Sequence, residues 1–177
     1  TIKINKQVTE SGIVEITSNG ITENWITKDY IIDIPVETRD AIQNEKLVPA
    51  KLKEATKTKI SFAVKIEDGA ICPIGDAVLY TYLPTKVDDF GFKFLVNADF
   101  LTTASREQIH FKNIWNRFLF TQIGCLLLDW IKSLKDYRGA LGLLPLKVDN
   151  TDNLLANDFY DSLKHSLSEM SFIVGHR

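Results

Sequence analysis

In the stretch Phe92–Phe120, FKFLVNADFLTTASREQIHFKNIWNRFLF, the hydrophobic period changes from two residues to between three and four. FKFLV reads as a strand. Beyond residue 105, Trp115, Phe118, Leu119, Ile123, Leu126, Leu127, Trp130, Ile131 and Leu134 recur three or four apart, the mark of an amphipathic helix. Asn113 is placed to cap its start and Gly139 to follow its end, giving a helix of about seven turns. Its apolar face should lie on a sheet. Between strand and helix, at a junction that carries no obvious structural demand for charge, stands Arg106.

Upstream the pattern is that of strands. Ile2, Ile4 and Val8 alternate loosely with polar residues, SGIVEIT predicts a second strand, and Asn19-Gly20 signals a tight turn. NWITKDYIIDIPV, rich in β-branched and aromatic residues, predicts the third strand of an antiparallel meander. ETRDAIQNEKL suits a short helix that Pro49 ends or follows, and KLKEATKTK reads as a charged connection facing solvent. KISFAVKI then alternates cleanly, with Ile60, Phe62, Val64 and Ile66 on one face, before a second turn at Asp68-Gly69. AVLYTYLP and FKFLV supply two further strands around the loop TKVDDFG.

Downstream of GLLPL, the segment LLANDFYDSLKHSLSEM predicts another helix, capped by Asn153 or Asp152. The expected fold is therefore α+β, a mostly antiparallel or mixed sheet covered on one face by long helices. Residues 1–150 form the sheet-plus-helix domain, and 151–177 a carboxy-terminal helix of the same domain or the start of the next. No internal repeat, low-complexity tract or Gly/Ser linker interrupts the chain.

With 177 residues, 45% of them hydrophobic, the chain is long enough for one domain with a proper core. A formal net charge of -2 argues against a protein whose main partner is a phosphate backbone. Cys72 and Cys125 have apolar neighbours and read as buried thiols, compatible with a reducing cytoplasm. No run approaches the roughly 20 apolar residues of a membrane span, and no signal-peptide pattern opens the chain. It begins at Thr1 rather than Met, as a piece cut from a longer protein would.

Familiar catalytic patterns are missing. Asp89-Phe90-Gly91 spells the magnesium motif of kinases, but no catalytic loop, glycine-rich loop or paired lysine accompanies it, and a turn is the better reading. There is neither a Gly-Lys-Ser/Thr phosphate loop nor a GxGxxG. His110, His165 and His176 lack partners at metal-ligand spacing, so no metal site is expected. Neither a GxSxG elbow nor a cysteine with a histidine near it in sequence offers a nucleophile. Asp88, Asp89 and Asp99 read as solvated turn residues, and Lys51, Lys53, Lys57 and Lys59, interrupted by Glu54, as a wet face.

Arg106 has a modest explanation and a sharper one. Ser105 with Gln108 three residues on fits a capping box, which would place Arg106 in the first turn of a short helix. A cation is misplaced there, because helix N-termini favour anions. An arginine beside free backbone N–H groups, however, is a good receptor for an anion delivered from elsewhere.

The residues around it resemble the middle, or transducer, domain of GHKL-type ATPases, in the branch with sacsin-like amino-terminal ATPase modules. The resemblance is carried by Leu83, Pro84 and Thr85; by Asn97, Ala98, Asp99 and Phe100; by Ser105 and Arg106; and by Trp115 and Asn116. Ser105-Arg106-Glu107 is similar to a stretch in the more distantly related ninety-kilodalton heat-shock chaperone, and Trp25-Ile26-Thr27 is a weaker match. The similarity is densest over residues 78–120.

It implies that Arg106 is catalytic and binds the cofactor, as part of a loop, supported by Asn97, Asp99, Ser105 and Glu107, that touches the γ-phosphate of ATP. That ATP, with its Mg, would be bound by an upstream ATPase domain of the same polypeptide, so the fragment alone should not hydrolyse it. A homodimer or a protein client, no membrane, little role for nucleic acid and a cytoplasmic setting complete the expectation. The alternative is a binding module for protein or nucleic acid without catalysis.

Overall fold

A computed structural model describes residues 4–10, 12–75, 77–87, 90–105, 107–145 and 152–174, with side chains described as far as residue 169. Arg106, Asp88, Asp89 and His176, singled out above, lie outside the described residues, as does Ile2. Among the described residues no helix is long and apolar enough to cross a membrane.

The three strands at the start are β1 (Ile4–Val8), β2 (Val14–Ser18) and β3 (Ile21–Asp33), an antiparallel meander. Asn19 (φ 52°) and Gly20 (φ 81°) make the β2–β3 turn, both with positive φ as a tight hairpin demands. Two short helices follow, each entered from a proline in extended conformation: α1 (Val36–Ile42) after Pro35 and α2 (Ala50–Glu54) after Pro49. The charged connection expected at KLKEATKTK is thus a turn of helix running into a strand, β4 (Lys57–Glu67). Local helix propensity in KLKE outweighs its look of a wet loop.

β4 is the centre of the sheet. It pairs with β3 over ten residues and, on its other side, with β5 (Ala70–Cys72) and β8 (Leu95–Asn97). β6 (Leu79–Thr81) runs parallel to β8, and β7 (Leu83–Pro84) folds back on β6. The described strands form one mixed sheet of order β1-β2-β3-β4-β8-β6-β7, with β5 paired to β4 off that path.

The alternation expected in KISFAVKI holds: Thr58, Ile60, Phe62, Val64 and Ile66 are all buried. The opposite face of the same strands carries the ion pairs Lys57–Asp33, Lys59–Asp29 and Lys65–Glu23. One face is therefore core and the other wet.

The core face is covered by α3 (Ile114–Ser133), against which α4 (Leu154–Val174) packs. Asparagines cap both helices. Asn113 Oδ1 accepts from Trp115 N and Asn116 N, and Asn153 Oδ1 from Leu155 N and Ala156 N. Trp130 packs on Phe62 and Phe94 with ring centroids 5.1 and 5.2 Å apart, and Phe159 of α4 meets Phe92 at 4.9 Å. Burying each such aromatic stabilises the fold by roughly 1.5–3 kcal/mol.

Three further expectations need correcting. α3 ends at Ser133, not near Gly139; that glycine, at φ 83°, instead opens a separate 3-10 turn, Ala140–Leu143. Cys125 is exposed and Cys72 half-buried, so neither is a core thiol. Position 125 falls on the exposed stripe of α3, together with Asp129 and Lys132. Ser105 caps no helix, because no described residue between 101 and 113 is helical.

Candidate functional site

Where β8 ends, the chain is turned by hydrogen bonds to its neighbours. Ala98 N donates to Tyr80 O (3.1 Å) and Thr81 Oγ1 to Phe100 O (3.2 Å). Phe94, Val96, Ala98 and Phe100 all bury their side chains, so apolar alternation pins the path to the point where the loop departs.

The loop itself is a small hairpin. Thr103 N donates to Gln108 O (2.9 Å), His110 N to Leu101 O (3.0 Å), and Thr102 bridges Ile109. Gln108 N also reaches Thr103 Oγ1 at 3.4 Å, which is why the amides of this segment are not free to start a helix. The base is buried through Leu101 and Ile109. At the tip Ala104, Ser105 and Glu107 are exposed, and they are the described neighbours of position 106.

The first turn of α3 fastens this base. Trp115 Nε1 donates to Asp99 O (2.7 Å). Asn116, fully buried, accepts from Leu101 N (2.8 Å) and donates through Nδ2 to Leu101 O (2.8 Å) and His110 O (3.1 Å). Loop entry, loop exit and helix start thus meet at one side chain.

Each supporting residue expected from the sequence has a definite place. Asn97 is at the base, half-buried, where its Oδ1 accepts from Tyr82 N at 3.0 Å. Asp99 offers its backbone carbonyl to Trp115 while its side chain is exposed. Ser105 Oγ sits 3.2 Å from Thr103 Oγ1 at the tip, and Glu107 pairs with Lys86 across the surface. Ser105 and Glu107 are brought together; Asn97 and Asp99 are not at the tip. Thr85 is buried and ties its own loop, its Oγ1 donating to Leu79 O at 2.9 Å.

Two open clefts flank the loop. One, of about 350 Å³, has Lys51, Lys57, Thr81 and Asp99 on its walls. The other, of about 470 Å³, lies at the loop's foot between Glu45 and Leu47 on one side and His110, Lys112 and Asn113 on the other. No group of three or more His, Cys, Asp or Glu among the described residues is placed to hold a metal ion.

One residue of interest went unread in the sequence. Tyr82, between β6 and β7, is 93% exposed and has φ 66°, a left-handed conformation that costs a side-chain-bearing residue roughly 1–2 kcal/mol. Nothing in LYTYLP announces it.

No family model and no solved structure matches the chain. It is similar to Protein NO VEIN of Arabidopsis thaliana. The two are 26% identical over 136 residues, covering 73% of this chain but 4% of the plant protein, so the chain spans only a small part of that relative's length.

Proposed function

We propose that the chain is a transducer segment of a GHKL-type, chaperone-like ATPase, in which Arg106 is presented to the γ-phosphate of ATP-Mg bound by an upstream domain. The observation that supports the reading is the mounting of the tip. Ala104, Ser105 and Glu107, the described neighbours of position 106, are exposed at the end of a hairpin whose base is buried and hydrogen-bonded to α3.

Phosphoryl transfer needs positive charge where negative charge builds on the γ-phosphoryl oxygens, and a planar guanidinium supplies it with no change of its own protonation. In other phosphate-transfer enzymes such an arginine contributes on the order of 10³ to 10⁵ in rate. Mounting on α3 gives the relay: a tip drawn toward nucleotide pulls on the helix whose other contacts are the sheet and α4.

The test is ATP turnover by the native polypeptide that carries this segment behind a nucleotide-binding domain. Arg106→Ala should lower kcat by on the order of a hundredfold or more while ATP affinity changes little. Unchanged turnover would sink the reading.

A second reading, a protein-binding module, is favoured by one specific feature. In the register of the first three strands, Ile4, Val8 and Ile21 share the helix-free face with Trp25, and the three aliphatic residues are 64–70% exposed. That reading expects partner binding by this chain with no nucleotide domain attached. Substituting Ile4 and Val8 by Ser should abolish it and leave any ATPase activity intact.

A further inference from the structure

We infer that Asn116 is the positioning residue of the Arg106 loop, an inference that rests on the nucleotide reading above. The side chain sits at zero exposure and makes three hydrogen bonds, one accepted and two donated. The orientation of its amide is dictated by the partners, since Leu101 N can only donate and the two carbonyls can only accept.

That pattern specifies the residue type. A carboxamide of this length supplies one acceptor and two donors from a single planar group. Aspartate would bury a charge against two carbonyl oxygens, and leucine would leave Leu101 N, Leu101 O and His110 O without these partners. Leu101 O keeps a bond from His110 N, but His110 O keeps only the amide of Asn113. Glutamine carries an extra methylene into a fully buried site.

Both ends of the hairpin are therefore referenced to the same atom group in the first turn of α3. Asn113, three residues earlier, fixes that turn by capping it, and Trp115 adds a bond from the ring N–H to Asp99 O. Leu101 and His110, the two ends of the hairpin, consequently have little freedom to shift against α3 unless these bonds are broken. A charge that must meet a developing oxyanion within a fraction of an ångström benefits from such a mounting, because misplacement by about 1 Å can cost on the order of a hundredfold in rate. Asn116 makes no contact with nucleotide in this scheme; it acts through the arginine.

The experiment uses the native nucleotide-binding polypeptide in four forms: wild type, Arg106→Ala, Asn116→Ala and the double variant. Amide exchange of Leu101 and His110 should accelerate about tenfold or more in Asn116→Ala, with the amides of β4 and the middle of α3 unchanged. Under the same conditions kcat should fall toward that of Arg106→Ala, KM for ATP should hold, and the double variant should be no slower than the slower single. Asn116→Asp keeps the acceptor and, when protonated, one donor, so its turnover should lie between wild type and Asn116→Ala and recover as pH falls. Loosened exchange with undiminished kcat, in a protein whose Arg106→Ala form is slow, overturns the inference, as does unaltered exchange at Leu101. If Arg106→Ala itself turns over normally, the nucleotide reading falls, and the assigned role of Asn116 falls with it.

Discussion

Gly124 of α3 faces Ser162 of α4 so closely that a Cβ built on the glycine would lie 1.9 Å from Ser162 Oγ and 2.5 Å from the carbonyl oxygen of Phe159. The serine rotor can move aside; the backbone carbonyl of a packed helix cannot. Gly124→Ala should therefore destabilise the protein by roughly 1–3 kcal/mol despite alanine's better helix propensity. Ser162→Ala in the same chain should recover only part of that loss. Denaturant midpoints of the single and double variants measure both.

The same helix pair is bridged by Arg117 and Asp158, with Nε–Oδ2 at 2.7 Å and Nη2–Oδ1 at 3.0 Å. The hydrogen bond first, and then the charge of Asp158, hold the Arg117 pKa above its ordinary value. Fork-to-fork geometry and a carboxylate that is only 19% exposed place this pair above an ordinary surface contact. A double-mutant cycle with Arg117→Ala and Asp158→Ala should return a coupling of about 1 kcal/mol, smaller at high salt. A coupling of zero at low salt would contradict this.

Tyr82 holds a left-handed backbone conformation with its ring in solvent. Tyr82→Gly should raise stability by roughly 0.5–1 kcal/mol, since glycine adopts that conformation without steric cost. Loss of partner binding or of turnover in a variant that is more stable would show that the strained aromatic is kept for use rather than for folding. Thermal melts beside an activity or binding assay separate the two effects.

Tyr30 donates a hydrogen bond to Asp129 Oδ2 (2.9 Å), linking β3 to the exposed stripe of α3. Burial first, then that bond and the nearby carboxylate, push its phenol pKa up. A folded-state pKa above the unfolded one makes a contribution that is complete below about pH 10 and is lost as pH rises through the folded value. The folded protein should thus show one tyrosine that ionises late by ultraviolet titration, and Tyr30→Phe should remove it and flatten the alkaline fall in stability.

The elements legible in the sequence were those with one buried face and a long run. Ile60 to Ile66 alternates because β4 has core on one side only, and the α3 stripe from Trp115 to Leu134 is dense enough to survive errors at its ends. β5 was missed since three residues, Ala70 to Cys72, cannot display a period. The capping box at Ser105 failed for a tertiary reason: the Gln108 amide it would have satisfied turns instead to Thr103 Oγ1 across the hairpin. At the candidate site, Asn116 stood out in the sequence only as a matching letter, and Trp115 as that and as the start of the α3 stripe. Their bonds to Asp99, Leu101 and His110 join residues 6 to 16 positions apart, and no local pattern records such a closure.

Fastening entry and exit of an excursion to one asparagine makes the segment between them a cassette. Ala104, Ser105 and Glu107 are in solvent, and Glu107's partner Lys86 is a surface lysine, so exchanges there leave the scaffold's stability nearly untouched. Selection can rewrite what this tip touches, or graft a longer one, without renegotiating the fold that carries it.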